Sequence, residues 1–366
     1  MDISNISSIK NIAFGQGAFS QLKSIILERQ SFQEKKNLSR NFVIYIDDFF
    51  ESNEAMINPL KSIENTEIHY IDSSKEPTTA LINDLRDRHL SQNEIPGGLI
   101  AIGGGVTLDI VKALSNLLNN KGNAEDYQGW DLVKNKGVYK IGVPTLSGTG
   151  AESSRTCVLI NEKTGLKLGM NSDFTLFDEL VLDPDLTRSV PKDIFFYTVT
   201  DAYFHCVEPL SGMLRNDFAD SYAKMGKSLC EEIFKLDDIR SNEGRTKAML
   251  ASYFGGIAIA NSMTALVHPF SAGLSVVLQV PHTLANCLVM LAMEEYYPNE
   301  YRIISDAIER HGIEVPKGIC KDLDNEQYDK LYDSSIIHEK PLSNGLGDDF
   351  KSILTKEKVI EIFNRI

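Results

Sequence analysis

Over the first half of the chain, short apolar runs alternate with segments of helical periodicity. The runs are Phe42–Ile46 (FVIYI), Glu67–Ile71 (EIHYI), Leu99–Ile102 (LIAI) and Tyr139–Val143 (YKIGV). The helical patterns are Phe19–Arg29, Thr78–Leu90 and Thr107–Leu118. Strands of this length alternating with helices predict βαβ units around a mostly parallel sheet. From about Pro191 the pattern changes to helical periodicity alone, over Ile194–Leu210, Asp217–Leu236, Thr246–Thr264, Thr283–Tyr297, Tyr301–His311 and Lys356 to the end. Two domains are therefore expected: an α/β domain over 1–186 and an all-helical domain over 187–366. The boundary falls in the Pro- and Asp-rich stretch from Asp183-Pro184 to Pro191-Lys192. No flexible linker, low-complexity tract or repeat separates them, which predicts close packing and a cleft between them suited to a ligand.

Composition narrows the function classes. Lys+Arg of 37 against Asp+Glu of 51 gives −14, so there is no basic field for nucleic acid or for an anionic membrane surface. The 5 Cys are scattered, odd in number and free of CxxC spacing, which argues against disulfides and a thiolate metal site and for a reducing compartment. Met1–Lys10 carries Asp2, Ser and Asn and no apolar core, so the protein is read as cytoplasmic. Between Lys247 and Glu294 stand 46 residues without Asp, Glu, Lys or Arg. Length alone would allow a membrane hairpin. Gly255-Gly256, Asn261, Ser262, His268-Pro269, Ser271, Pro281-His282 and Asn286 make that run too polar and too broken for lipid, and predict a segment buried within the helical domain.

Three places carry candidate chemistry. Gly103-Gly104-Gly105-Val106-Thr107-Leu108-Asp109 follows a strand and opens a helix, where glycines admit a phosphate to free N–H groups and the positive dipole end. Without a ligand, the same residues would make a tight strand–helix turn. Ser147-Gly148-Thr149-Gly150 follows the next strand and forms a second phosphate-friendly loop. Asp47 ends an earlier strand, as a ribose-binding acid does or as an ordinary turn acid does. In Asp201-Ala202-Tyr203-Phe204-His205, the i,i+4 spacing puts Asp201 and His205 on one helix face. His268 and His282 lie inside the uncharged run, and one carboxylate with three imidazoles suits Fe²⁺ or Zn²⁺. The other four His (69, 89, 311, 338) read as surface residues.

The segments FGQGAFSQL, GGGVTLDIVKA, VPTLSGTGAE, LKLGMNSDF, LDPDLT, DAYFHCVEPL, ALVHPF and VPHTLAN occur in this order. With them the chain resembles the iron-containing (group III) metal-dependent alcohol dehydrogenases over nearly its whole length. The resemblance implies an N-terminal Rossmann-like nucleotide domain, a C-terminal helical metal-binding domain (a dehydroquinate synthase-like architecture) and a homodimer. Position by position it implies Asp201, His205, His268 and His282 as ligands of a divalent metal, Fe²⁺ or Zn²⁺. For NAD it implies Gly104, Gly105, Val106 and Asp109 at the pyrophosphate, and Thr145, Leu146 and Thr149 in the second loop. Lys167 falls near the nicotinamide ribose and Asp47 at the adenosine ribose. Three positions depart from the family pattern: Val106 where many members have Ser, Ala272 where many have a second His, and Ser153-Ser154-Arg155 in place of an apolar run. Arg155 is expected either to bind a substrate carboxylate or to form a structural salt bridge. Tyr203 is a candidate for carrying the proton. A narrower likeness, in YQGWDL (127–132), SGTGAESSRT (147–156), LGMNSDFTLFDE (168–179), HCVE (205–208) and GICKDL (318–323), implies a primary alcohol of an acidic sugar as substrate. It also implies coupling to an aminotransferase in lipopolysaccharide 8-amino sugar synthesis. A general alcohol or polyol dehydrogenase and a dehydroquinate synthase-like cyclase are the alternatives.

Overall fold

The computed structural model describes residues 6–92 and 95–366; residues 1–5 of the polar stretch Met1–Lys10 lie outside the described residues. The chain divides into two compact units, residues 1–146 with 151–188, and residues 147–150 with 189–366. The tetrapeptide Ser147–Gly150 thus groups with the helices, although it follows a strand of the sheet.

The first unit holds strands β1 (Asn11–Phe14), β2 (Phe42–Asp47), β3 (Thr66–Ile71), β4 (Gly98–Gly103), β5 (Gly129–Trp130), β6 (Lys140–Pro144), β7 (Thr156–Asn161), β8 (Leu166–Asn171) and β9 (Glu179–Leu182). Its helices are α1 (Leu22–Lys35), α2 (Glu54–Lys61), α3 (Thr79–Ser91) and α4 (Gly105–Leu118). Six strands form one parallel sheet in the order β1-β9-β6-β4-β2-β3. Strands β2, β4 and β6 are buried along their whole length, as parallel strands covered on both faces must be, and this is why they read as continuous apolar runs. Ile44, Ile46, Ile100, Ile102, Ile141 and Val143 of the sheet share one core with Leu22 and Ile26 of α1 and with Ile57 and Leu60 of α2.

The chain leaves β2 for β3 on one side and then returns to place β4 on the other side. The carboxyl ends of β2 and β4 are therefore a topological switch point, where open α/β sheets bind ligands. Asp47 ends β2 and Gly103 ends β4.

Helix α4, which starts at this point, is buried over almost its entire length, Lys112 included. The Lys112 ammonium donates to the carbonyls of Ala151 (2.7 Å), Ser154 (3.0 Å) and Thr156. Lys140, equally buried, donates to the Phe174 carbonyl at 2.8 Å, and burial pushes its pKa down to about 8. Both cations are satisfied by oxygen acceptors, as buried ammonium groups require.

Strands β7 and β8 form an antiparallel hairpin, with β5 parallel to β8. These three, with β1 and β9, are absent from the sequence expectation. β1, β5 and β9 have four residues or fewer, and β8 is interrupted by Lys167 and Gly169; β7 carries the apolar run Cys157–Ile160, which the periodicity reading passed over.

The second unit consists of α5 (Lys192–Ser211), α6 (Asp217–Lys235), α7 (Asn242–Ala260), α8 (Val267–Leu278), α9 (His282–Ala292), α10 (Pro298–His311), α11 (Asn325–Ile336), α12 (Glu339–Leu346), α13 (Phe350–Ile353) and α14 (Lys356–Phe363). Helix α5 is its axis, buried from Phe195 to Pro209 and packed on α6, α7 and α9. The uncharged stretch 248–293 forms the second half of α7 and all of α8 and α9, and most of it is buried. Among the described residues no helix is long and apolar enough to cross a membrane. Helix α8 escaped the periodicity reading because Pro269 reads as a breaker. It stands in the first turn of the helix, where a missing N–H is tolerated.

Two histidines expected at the surface are buried. His89 meets the Tyr45 hydroxyl at 2.8 Å, and the His311 ring meets the Phe234 carbonyl at 2.9 Å. All five cysteines are buried and free.

Gly103 is the tightest point of the switch region. A Cβ there would lie 2.1 Å from Asp47 Oδ1 and 2.8 Å from Thr107 Cβ. Gly103→Ala is expected to lower the unfolding free energy by about 1–3 kcal/mol, read from a urea titration. Gly104→Ala, whose Cβ would meet nothing closer than 3.9 Å, is expected to cost less.

Candidate functional site

One turn of α5 separates Asp201 from His205, so both side chains project from the same face, and α8 brings His268 to them. The ligand atoms of Asp201, His205 and His268 all lie within 4.8 Å of one another. Asp201 Oδ1 is 3.4 Å from His268 Nε2 and 3.8 Å from His205 Nε2. Ligands at about 2.0–2.1 Å around a tetrahedral ion stand roughly 3.3 Å apart, close to these separations. The two imidazoles are stacked with centroids 4.5 Å apart.

The other ring nitrogens are held away from this point. His205 Nδ1 faces the Gly148 carbonyl at 3.3 Å, and His268 Nδ1 faces Glu208 Oε2. Glycines make the approach possible. A Cβ on Gly255 of α7 would stand 2.8 Å from His205 Cβ, and one on Gly150 (φ +61°) would stand 2.8 Å from Gly256 Cα.

His282 opens α9 and stands just outside this trio, its ring centroid 6.0 Å from that of His268. Asn286, one turn further along α9, donates to Asp201 Oδ1 at 2.6 Å and lies 3.3 Å from His282 Nε2. The structure therefore brings together three of the four expected ligands and links the fourth to them through an amide.

The electrostatics are those of a cation site. Burial alone would raise the Asp201 pKa, but His205, His268 and His282 outweigh it and hold the carboxyl at about 2. Burial lowers the His205 pKa, with Asp201 opposing. For His268 burial also pulls down, but Glu208 and Asp201 prevail and push its pKa up to about 10. Asp201 Oδ2 and His268 Nε2 are buried and make no hydrogen bond. Asp201 Oδ1, His205 Nε2 and His268 Nε2 converge on one buried point, and a carboxylate with two imidazoles is the donor set of a divalent metal, so the residues fit one.

At the switch point of the first unit, Asp47 is tied to the glycine turn. Its Oδ2 accepts from the Gly104 N–H at 3.0 Å and its Oδ1 from Thr107 Oγ1 at 2.5 Å. Burial raises its pKa against those two bonds. Gly104 caps α4, so Gly105 and Val106 open the helix at its positive end. Asp109 accepts from the Val158 N–H at 2.9 Å, and burial pushes its pKa up to about 6, with Lys112 opposing. The Thr145 N–H donates to the Gly103 carbonyl at 3.0 Å, which joins the two turns, and Leu146 lies 3.9 Å from where a Gly104 Cβ would stand. Thr149 belongs to the tetrapeptide of the helical unit. Lys167 is buried on β8 and pairs with Glu76 at 2.8 Å.

Residues 10–184 match the family described as iron-containing alcohol dehydrogenase, and residues 195–332 match the C-terminal domain of the Fe-containing alcohol dehydrogenase family. The chain belongs to the iron-containing alcohol dehydrogenase family. Among its relatives is a sulfoacetaldehyde reductase of Bilophila wadsworthia, 30% identical over 65% of this chain and 64% of the relative. The matched chain thus spans slightly under two thirds of that relative's length. A 4-hydroxybutyrate dehydrogenase of Clostridium kluyveri is 26% identical over 85% of each chain. The crystal structure of a sulfoacetaldehyde reductase from Bifidobacterium kashiwanohense in complex with NAD⁺ superimposes with a TM-score of 0.79, at 22% identity and covering 99% of this chain and 98% of that one. That likeness is one of fold.

Two expectations change on this framework. Tyr203 stands two residues from Asp201, on the opposite side of α5. Its hydroxyl donates to Glu231 at 3.2 Å, and burial drives its pKa far above the usual range. Its hydroxyl is thus engaged by Glu231 rather than by the Asp201 cluster. Arg155 sits between Asp131 and Asp173, with Nε 3.2 Å from Asp173 Oδ1. Of its two readings, the salt bridge is the one the structure displays.

Sequence reasoning missed Glu208 and Asn286. The signal was present for both: Glu208 continues the Asp201–His205 face at i+7, and Asn286 lies at i+4 from His282.

In the metal-free protein the His268 contribution to stability is complete below its unfolded-state value of about 6.5 and is lost as pH climbs through about 10. Chelator-treated protein is expected to lose on the order of 2 kcal/mol or more of unfolding free energy across that window. Metal-loaded protein, in which the ion has displaced that proton, is expected to show no such fall. Urea titrations of both forms over the window check this, since the opposing contribution of buried Lys140 is common to the two, and parallel metal-free and metal-loaded profiles would mean that His268 is neutral in the fold.

Proposed function

We propose that this chain is a metal- and NAD-dependent dehydrogenase that oxidises a primary alcohol to an aldehyde, and that its substrate is an acidic sugar, 3-deoxy-manno-octulosonate, oxidised at C8. The observation that carries the reaction class is the convergence of Asp201, His205 and His268 in the buried interior of the helical unit, in a chain of this family. The sugar rests on the likeness of segments 127–132, 147–156, 168–179, 205–208 and 318–323 to 3-deoxy-manno-octulosonate 8-oxidase. Two of the relatives, a sulfoacetaldehyde reductase and a 4-hydroxybutyrate dehydrogenase, are named for anionic compounds, which supports an acidic substrate. The aldehyde product is the substrate type of an aminotransferase, the partner activity this reading expects.

Bound to the chain, a divalent ion supplies Lewis acidity toward the substrate hydroxyl and NAD supplies the hydride acceptor. Asp201, His205 and His268 hold the ion, with His282 as fourth ligand. Gly105 and Val106 offer the open end of α4 to the pyrophosphate, Gly104 lets the backbone approach it closely, and Asp47, through the Gly104 N–H, and Thr107 fix that turn in place. Val106 adds no side-chain donor, so backbone N–H groups do this binding. Lys167, Asp109, Thr145, Leu146 and Thr149 flank the nucleotide. With Tyr203 paired to Glu231 and a methyl group at Ala272, neither side chain would take the hydroxyl proton, which would pass to water.

NADH formation by metal-loaded protein tests this reading. The expected kcat/KM for 3-deoxy-manno-octulosonate exceeds that for ethanol or a short diol by at least about tenfold, the range of ordinary pocket discrimination. Asp201→Asn is expected to lower it by about a hundredfold or more. Turnover of simple alcohols only would remove the sugar assignment. No NADH from any alcohol would remove the dehydrogenase.

A further inference from the structure

Glu208 lies on the same face of α5 as Asp201 and His205 and is completely buried. Both of its oxygens are engaged by α8. Oε1 accepts from the Val267 N–H at 2.6 Å and Oε2 from His268 Nδ1. Val267 and His268 are the first two residues of α8, whose N-cap, Leu266, offers no side-chain bond. The carboxylate therefore occupies a position where a helix start needs an acceptor and the dipole favours a negative charge.

A cap for α8 needs only the bond to Val267. The second bond does something more specific. With Nδ1–H donated to Glu208, Nε2 is the nitrogen left to an ion once its proton is displaced, and Nε2 is the atom turned toward Asp201 Oδ1 at 3.4 Å. An imidazole can present only one nitrogen to an ion, and the partner of the other nitrogen decides which. His205 is oriented by a neutral carbonyl, that of Gly148. His268 is the only one of the trio oriented by a second carboxylate, which raises its donor strength as well as fixing its ring.

We infer that Glu208 is the positioning residue of the metal centre, fixing the tautomer and ring orientation of His268 while it pins the first turn of α8. This rests on the metal reading given under Proposed function. Glu208→Gln keeps the size of the side chain but leaves one acceptor for two donors, so either Val267 or His268 loses its partner.

The test is Zn²⁺ affinity of the metal-free full chain, measured by chelator competition, together with the visible spectrum of the Co²⁺-loaded protein. The expected result for Glu208→Gln is a Zn²⁺ Kd weaker by about ten- to a hundredfold and an altered Co²⁺ spectrum, with a cooperative unfolding transition retained. If Glu208→Gln does not fold, Glu208→Asp is read the same way, because it keeps the charge on an arm too short to reach both donors. A folded variant with a Kd within about twofold of wild type, and an unchanged Co²⁺ spectrum, reduces Glu208 to a helix cap and overturns the inference. Wild-type protein that binds neither ion overturns the metal reading, and this inference with it.

Discussion

A carboxylate with no exposed surface, Asp201, sets the terms for the helical unit. A buried charge of this kind is costly unless opposite charge and hydrogen bonds surround it. The unit supplies them from three helices: His205 from α5, His268 from α8, and Asn286, with His282 close by, from α9. Those helices must meet at one point, and the surrounding residues follow from that. Gly255 removes a side chain that would hold α7 away from His205, and the 46-residue stretch without Asp, Glu, Lys or Arg adds no carboxylate or ammonium beside the ion.

The α/β unit is organised by a second buried carboxylate. Asp47 closes the glycine turn by binding Gly104 and Thr107, at the point where the strand order reverses. Both units thus place a buried acid where a helix end or a cation needs one. The buried ammonium of Lys112 plays the complementary part, gathering the carbonyls of residues 151, 154 and 156, the segment that follows the second loop.

Much of this was legible in the sequence because the signals were local. Strands buried on both faces appear as apolar runs, and the Asp201–His205 pair lies within one turn. The residues missed answer to tertiary context. β8 is broken by Lys167 and Gly169, and β7, which alternates buried and half-buried positions, has no helix beside it in sequence to mark it as part of a βαβ unit. His89 and His311 lie among polar neighbours in sequence but face Tyr45 and a carbonyl in the core. Glu208 looked like an ordinary helix acid until α8 placed two donors on it. Arg155 and Tyr203 went the other way: their chemistry was suggestive, and their partners, Asp131 with Asp173 and Glu231, lie where no sequence spacing points.

Asp201, His205 and His268 together form a site for one divalent ion. The most direct measurement is the metal content of the full chain after reconstitution with Fe²⁺ or Zn²⁺ and removal of excess, for wild type beside Asp201→Asn. One ion per wild-type chain is expected, and less than about a tenth of that in the folded variant. An equal metal content in the two proteins would contradict it.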